Sequence, residues 1–488
     1  MHVIARAIHH KAQLGTLQPL SPAQKRLLAW AEAKGVHWPK ALFPVKFHPG
    51  YIGLQAKQTI SPNETIISVP RRLVITAQRV ENSELGPLFA STPSLFKATK
   101  HSYADDFKLI LFLLYEAEKG IESDWHVYLQ TLPLDPPQVV YWPAESLSQL
   151  QDESLTREAM SQFRLLKAYW RQIRETVLSH PKLFTPEMVT WDKFKWAEGV
   201  VSSRAFGDGR MSHSLCPVAE FLNHHNNATG YVFERKGLAR SGKPYREDDD
   251  DLPKGLFFPA FPHFAILLNS LYPLTTEQRT HLFISTNELD PEPEKTTKTP
   301  KTSTEDSDCL RIVAGPDETY EAGAEICLNY GPLSNRAALL RYGFAMANDD
   351  LAYCLVTLDV REYLTGDQYE TIKKKQLRTD WTFKLKAGQI CPKLLTALRL
   401  LLWRPNNHTL ESIFSPEDIS LDNSAKLAAI NLLERTLSAF PTSISEDQQG
   451  LSSAFFLHEH FSLLYRFQRK SILSKHISSL RSSLFLVI

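Results

Sequence analysis

A change of hydrophobic period constrains this chain most. From Asp105 to Arg204 the pattern is helical: Phe107, Ile110, Leu111 and Leu114 form one apolar stripe, and Ala159 to Leu178 and Trp191 to Arg204 give two more. Strand-like segments lie on both sides of this block. Before it, YIGLQAK and TIISVPRRLVIT are joined by the turn SPNE; after it come YVFER at 231–235, LRIVAG, EICLNY, and LAYCLVTLDV at 351–360. A first helix is expected from Ala23 to Lys34, started by Ser21-Pro22 and stopped at Gly35. Beyond 350 the chain reads mostly helical, at Lys393 to Leu402, Ser424 to Ala439 and Ser453 to Leu473. The order is strands, inserted helices, strands, then helices, which makes an α+β chain.

The chain has 488 residues, 43% hydrophobic and 22% charged, enough for more than one domain and an ample core. Lys+Arg (55) and Asp+Glu (54) nearly cancel, so no global field supports a nucleic-acid or membrane-surface partner. No apolar run is long enough to span a bilayer. Cys216, Cys309, Cys327, Cys354 and Cys391 are dispersed with no CxxC pair, which argues against a disulfide framework or a structural zinc and for a reducing compartment. A cytoplasmic or nuclear setting follows. Residues 1–31 carry no acid, with Arg6, Lys11, Lys25 and Arg26 among them; a mitochondrial presequence has this composition, as does an unstructured leader.

Residues 236–308 contain the acid run Glu247 to Asp251 and the tract DPEPEKTTKTPKTSTEDSD, and are expected to form a partly disordered insertion around the apolar stretch Phe257 to Leu289. Gly237 to Lys243 approximates a phosphate-binding loop, but position 244 is proline where that loop needs Ser or Thr. No GxGxxG follows a strand, and His458-Glu459-His460 lacks the spacing that puts two imidazoles on one helix face.

Three stretches resist a purely architectural reading. Arg204, in Ser202-Ser203-Arg204-Ala205-Phe206, could bond the last helix carbonyls or a ligand. Asn223-His224, after the apolar Pro217 to Leu222, could be a turn or offer an amide and a ring to a polar ligand. In EICLNYGPLSNRAALLRYGF (325–344) a strand, a break at Tyr330-Gly331-Pro332 and a helix from Asn335 to Arg341 carry a tyrosine at each end. Tyr330 and Tyr342 are packing residues or two walls of one pocket.

Taken together, these stretches resemble the SET-domain protein methyltransferases, in the branch typified by the Rubisco large-subunit methyltransferase. The matching pieces come in the family's order: Gly53-Leu54-Gln55-Ala56; Asp124-Trp125, Tyr128-Leu129 and Leu132-Pro133; Ser203-Arg204-Ala205-Phe206; Asn223-His224; Glu325 with Asn329-Tyr330-Gly331; and Tyr342-Gly343-Phe344. The resemblance implies a SET-domain β fold with a pseudoknot over residues 21–345, after a disordered leader at 1–20. A helical insertion would occupy 100–205 and an all-helical substrate-binding domain 346–488. It implies S-adenosylmethionine as cofactor and no metal. Gly50, Tyr51, Ile52 and Arg204 are then expected at the cofactor's amino-acid part, Asn223 and His224 at its amino group and adenine, and Tyr330 at the methyl as the catalytic residue. Arg204, Glu220, Tyr231, Tyr330 and Tyr342 are expected to bind substrate. Glu220 stands where the branch more often has aspartate, and Gly207-Asp208-Gly209 stands where it has a basic residue.

The expected reaction is methyl transfer to a lysine of a non-histone protein, with a ribosomal or other abundant cytosolic protein as the substrate class and a monomeric enzyme. The alternatives are a histidine acceptor on the same fold and an inactive scaffold. The lysine must be neutral to attack, and deprotonating a free one at pH 7.4 costs about 4 kcal/mol. A narrow, aromatic-walled channel lowers that cost by penalising the ammonium.

Overall fold

The computed structural model describes residues 8–10, 16–17, 19–47, 51–93, 104–207, 213–235, 238–241, 309–331, 333–347, 351–374, 379–388, 390–404, 408, 411–454 and 456–484. They fall into two compact units, one drawn from residues 1–247, 303–349 and 451–463, the other from 248–302, 350–450 and 464–488.

The first unit is built on an eight-stranded sheet. Along it lie Thr16–Leu17, Ala41–Lys46, Ile52–Ala56, Glu325–Leu328, Asn223–Arg235, Cys309–Val313 and Thr65–Pro70, and Leu238–Ser241 pairs the Asn223–Arg235 strand from the side. Glu325–Leu328 runs antiparallel to Ile52–Ala56 on one side but parallel to Asn223–Arg235 on the other, with Cys327 opposite Asn223. A parallel pair cannot be closed by a short turn; here the chain between the two strands includes Cys309–Val313, which runs back antiparallel to Asn223–Arg235, and Glu318–Tyr320. Leu54, Ile67, Val69, Leu310, Ile312 and Ile326 form the core of this sheet.

The helical block behaves as its period requires. The helix Ala104–Lys119 buries Phe107, Ile110, Leu111 and Leu114 against Phe194, Val200 and Val201 of the helix Trp191–Arg204. Helix starts follow capping chemistry: Ser21 and Gln24 form a reciprocal capping box for Pro22–Ala33, and the Ser334 hydroxyl accepts from the Ala337 N–H at the start of Asn335–Arg341.

Two expectations are corrected. TIISVPRRLVIT is not one strand: it ends at Pro70, a short 3-10 turn covers Arg71–Leu73, and Ile75–Thr76 pairs elsewhere with Ser214–Leu215. Proline supplies no N–H to continue a ladder. Inside the expected leader, Ile8–His10 pairs with Glu318–Tyr320 and Thr16–Leu17 with Ala41–Lys46, since open strand edges accept short partners. Leu238–Ser241, in the stretch that Pro244 had already excluded as a phosphate loop, is an antiparallel strand against Val232–Arg235. The rest of the 236–308 insertion lies outside the described residues.

The second unit is mainly helical, with Pro392–Leu402, Ile419–Ser438, the helix Ile444–Ser453 up to residue 450 and, from residue 464 on, the helix Leu457–Ser482. It also holds a two-stranded sheet, Tyr353–Asp359 against Asp380–Lys386. The second strand alternates Trp381, Phe383 and Leu385 into the core with polar residues between, a period-2 signal present in the sequence.

Candidate active site

The parallel pairing of Cys327 with Asn223 sets the site, because it delivers the chain to Tyr330 beside His224. The Tyr330 N–H donates to His224 Nδ1 at 3.0 Å. That nitrogen must therefore be unprotonated, which puts the ring proton on Nε2; the Leu328 carbonyl, 3.3 Å from the same nitrogen, is then a contact and not a bond. Gly331, at φ +115°, turns the chain away, and its N–H is taken by Asn329 Oδ1 at 2.8 Å.

The helix Asn335–Arg341 then returns the chain. Tyr342 is its C-cap residue and Gly343, at φ +78°, the left-handed residue after it. The Tyr330 and Tyr342 ring centroids come to 5.0 Å, with His224 5.0 Å from Tyr330 and Phe344 5.9 Å from Tyr342. Arg336 anchors this helix. Its guanidinium, 3% exposed, pairs with Asp152 at 3.2 Å and Glu158 at 2.6 Å, so the inserted helices fix where Tyr342 stands.

Tyr330, Tyr342, Glu220, Leu222, Leu328 and the segment 203–207 line one pocket. The Tyr330 hydroxyl donates to the Leu222 carbonyl. Burial pushes its pKa far up, the neighbouring Tyr342 adds to this and Arg204 opposes it, so the phenol is neutral at ordinary pH. Tyr330 is thus a hydrogen-bonded hydroxyl and not a phenolate.

Arg204 does not cap its own helix: its Nη1 lies 3.4 Å from both the carbonyl and Oε1 of Glu220, and its plane sits 5.7 Å over Phe221. Its Nε is buried with no partner. A buried guanidinium N–H without an acceptor is a donor suited to a carboxylate ligand. Glu220 follows Val218, which holds φ +72°, a conformation rare for a β-branched residue, just ahead of the turn Ala219–Phe221. Burial raises the Glu220 pKa, while Arg204 and the Tyr128 hydroxyl, donating to Oε2 at 2.6 Å, pull it back.

Other expected residues sit beside this pocket in a second network. Asn223 donates through Nδ2 to the Ile52 carbonyl at 3.1 Å and to Glu325 Oε1 at 2.9 Å, and Tyr51 Oη donates to Glu325 Oε2 at 2.9 Å. The Asn223 amide hydrogens therefore hold the strand at Ile52. Gly53 is required here: a Cβ would lie 2.5 Å from Asn223 Nδ2 and 3.0 Å from Glu325 Oε1. Gly50, Asp208 and the side chain of Tyr231 lie outside the described residues; the Tyr231 backbone pairs with Ile312. Sequence reading assigned no site role to Tyr128, Glu325 or Arg336, whose partners are all distant in the chain.

The family described as Rubisco LSMT substrate-binding matches residues 361–473. The chloroplastic Rubisco large subunit N-methyltransferase of Pisum sativum is 30% identical over 231 residues, 47% of this chain and 45% of that protein. Thus the chain spans less than half the length of that relative. The chloroplastic fructose-bisphosphate aldolase-lysine N-methyltransferase of Arabidopsis thaliana is 24% identical over 86% of this chain and 75% of its own. Actin-histidine N-methyltransferase of Mus musculus is 28% identical over 43% of this chain and 35% of its own. Among solved structures, the SET domain of LSMT bound to lysine and AdoHcy superposes with a TM-score of 0.58 at 20% identity, covering 95% of this chain and 92% of that one. The chain thus has the fold of the LSMT SET-domain structures, and its residues 361–473 match the Rubisco LSMT substrate-binding family.

Proposed function

We propose that this protein is an S-adenosylmethionine-dependent protein-lysine N-methyltransferase acting on a non-histone protein. The observation that carries the reading is one pocket combining Arg204, with its unpartnered buried Nε, the carboxylate of Glu220, and the paired rings of Tyr330 and Tyr342. Structures of LSMT bound to AdoMet, and to AdoHcy with lysine, share this fold.

S-adenosylmethionine supplies an electrophilic methyl on a sulfonium. Arg204 offers it a guanidinium N–H for its carboxylate. The Tyr51–Glu325–Asn223 network holds the strand at Ile52, where the cofactor's amino-acid part is expected. Tyr330, with its proton engaged by the Leu222 carbonyl, keeps oxygen lone pairs to accept from the amine or from a polarised methyl C–H. The two tyrosine rings suit the apolar stem of lysine, and Glu220 favours a cationic side chain at the pocket wall over a neutral one. This last point supports lysine over histidine, although the actin-histidine relative keeps the second acceptor in view.

The test is labelled S-adenosylmethionine added with the enzyme to an extract lacking this protein, followed by mass spectrometry of the labelled band. Methyl-lysine on a non-histone protein is the expected product. Methyl-histidine replaces the acceptor; no label, with no cofactor binding by calorimetry, overturns the enzymatic reading.

A further inference from the structure

Glu220 and Arg204 are oppositely charged and close, yet they do not close up. The Glu220 side chain is 0% exposed and that of Arg204 23%, and their nearest approach is 3.4 Å. A guanidinium and a carboxylate shielded from water usually meet at about 2.8 Å, often through two parallel bonds. The second carboxylate oxygen accounts for the gap. Tyr128 donates to Oε2 at 2.6 Å, a full bond to the oxygen other than the one nearest Arg204. Tyr128 is 0% exposed and meets the edge of Trp125, which in turn packs on Trp30 and Phe112, so its ring is enclosed by aromatic packing. Arg204, meanwhile, lines the pocket with its Nε unpartnered.

We propose that Tyr128 is a positioning residue whose hydroxyl holds Glu220 back from a two-bond pair with Arg204, leaving the guanidinium available to the cofactor carboxylate. This rests on the function proposed above. The helical insertion thereby sets cofactor affinity through one phenol that never touches the cofactor. Without the hydroxyl, Glu220 turns to Arg204, neutralises it and competes for its N–H groups.

The experiment is calorimetric titration of the full chain with S-adenosylmethionine, for wild type, Tyr128→Phe, Glu220→Gln and the double variant. Tyr128→Phe should weaken binding about tenfold, the equivalent of one charge-assisted hydrogen bond. In the Glu220→Gln background the same change should alter affinity less than about twofold, because a neutral amide does not draw the guanidinium away. Steady-state kinetics should show a raised KM for the cofactor with kcat at saturation changed less than about threefold. Equal affinity of wild type and Tyr128→Phe overturns the proposal. So does an equal loss in both backgrounds, which is what simple loosening of the core would produce. Wild type that binds no S-adenosylmethionine overturns the functional reading itself.

Discussion

Tyr330 and Tyr342 face each other at 5.0 Å, tilted by 47°, although one lies two residues beyond a strand and the other caps a helix. Three separate interactions produce this pairing. His224 Nδ1 accepts the Tyr330 N–H, Arg336 anchors the intervening helix to Asp152 and Glu158, and Gly343 turns the chain out behind Tyr342. The pocket is therefore assembled from the sheet, the inserted helices and the return helix together.

Removing the Tyr330 hydroxyl should separate chemistry from binding. Tyr330→Phe is expected to lower methyl transfer by about 10²-fold, as loss of one oriented polar group does elsewhere. Affinity for S-adenosylmethionine should stay within a few-fold, because Arg204 and the Tyr51–Glu325–Asn223 network are untouched. Single-turnover labelling and calorimetry on the same preparation check this. Equal labelling by the variant would remove Tyr330 from the reaction.

Gly343 should tolerate no side chain. A Cβ there would lie 1.9 Å from the Pro137 carbonyl, and the residue sits at φ +78°. Gly343→Ala is expected to cost at least about 2–3 kcal/mol and to misplace Tyr342. Gly366, whose Cβ would meet nothing within 4 Å, is the control. There the same substitution should change stability by less than about 1 kcal/mol. Thermal melts of the two variants give the comparison.

The Glu325 carboxylate accepts from two donors, Tyr51 Oη and Asn223 Nδ2. Glu325→Gln puts an N–H₂ against one of them. The expected loss is about 1–3 kcal/mol of stability, with weaker cofactor binding because the strand at Ile52 is released. Denaturant melts and calorimetry measure the two effects separately.

Glu198 makes stability depend on pH. Burial raises its pKa to about 7, while a hydrogen bond from the Tyr141 hydroxyl opposes the shift. Between the unfolded carboxyl value and about pH 7 the folded chain keeps a proton that the unfolded chain has lost. The folded state therefore loses stability as pH rises across that window and no further above it. Glu198→Gln should abolish this slope and be the more stable protein at pH 8. The residue retains some solvent access, so a gain of about 1–2 kcal/mol is expected. Melts of both proteins at pH 5 and pH 8 test the sign.

In the second unit, Asp447 is fully buried and accepts from Lys470 Nζ at 2.6 Å, Arg466 Nε at 2.7 Å and Thr442 Oγ1 at 2.8 Å. Lys470→Met takes one cation from a buried cluster and should destabilise by about 3–5 kcal/mol. A double Lys470→Met/Asp447→Leu variant should recover much of the loss. Chemical denaturation of the single and double variants decides it.

The amino-acid pattern by itself determined the elements. Period-3.6 stripes placed the Trp191–Arg204 helix at its observed bounds, Ser21-Pro22 and Gly35 bracketed the first helix, and alternation marked the strand that ends near Tyr330. These signals are local, because caps, turns and one-sided burial act over a few residues. The motifs marked Arg204, Tyr330 and Tyr342, and the family resemblance added Glu220; the fold brings these four to one pocket. What tertiary structure alone decided is how those residues are held. That Asn223 binds Ile52 and Glu325, that Arg336 reaches Asp152, and that Tyr128 restrains Glu220 depend on partners 90 or more positions apart. The parallel pairing of Cys327 with Asn223 is of the same kind, since nothing in either strand encodes which edge it will meet. Such contacts form only after the chain has closed its long loops, so they leave no periodic trace in the sequence.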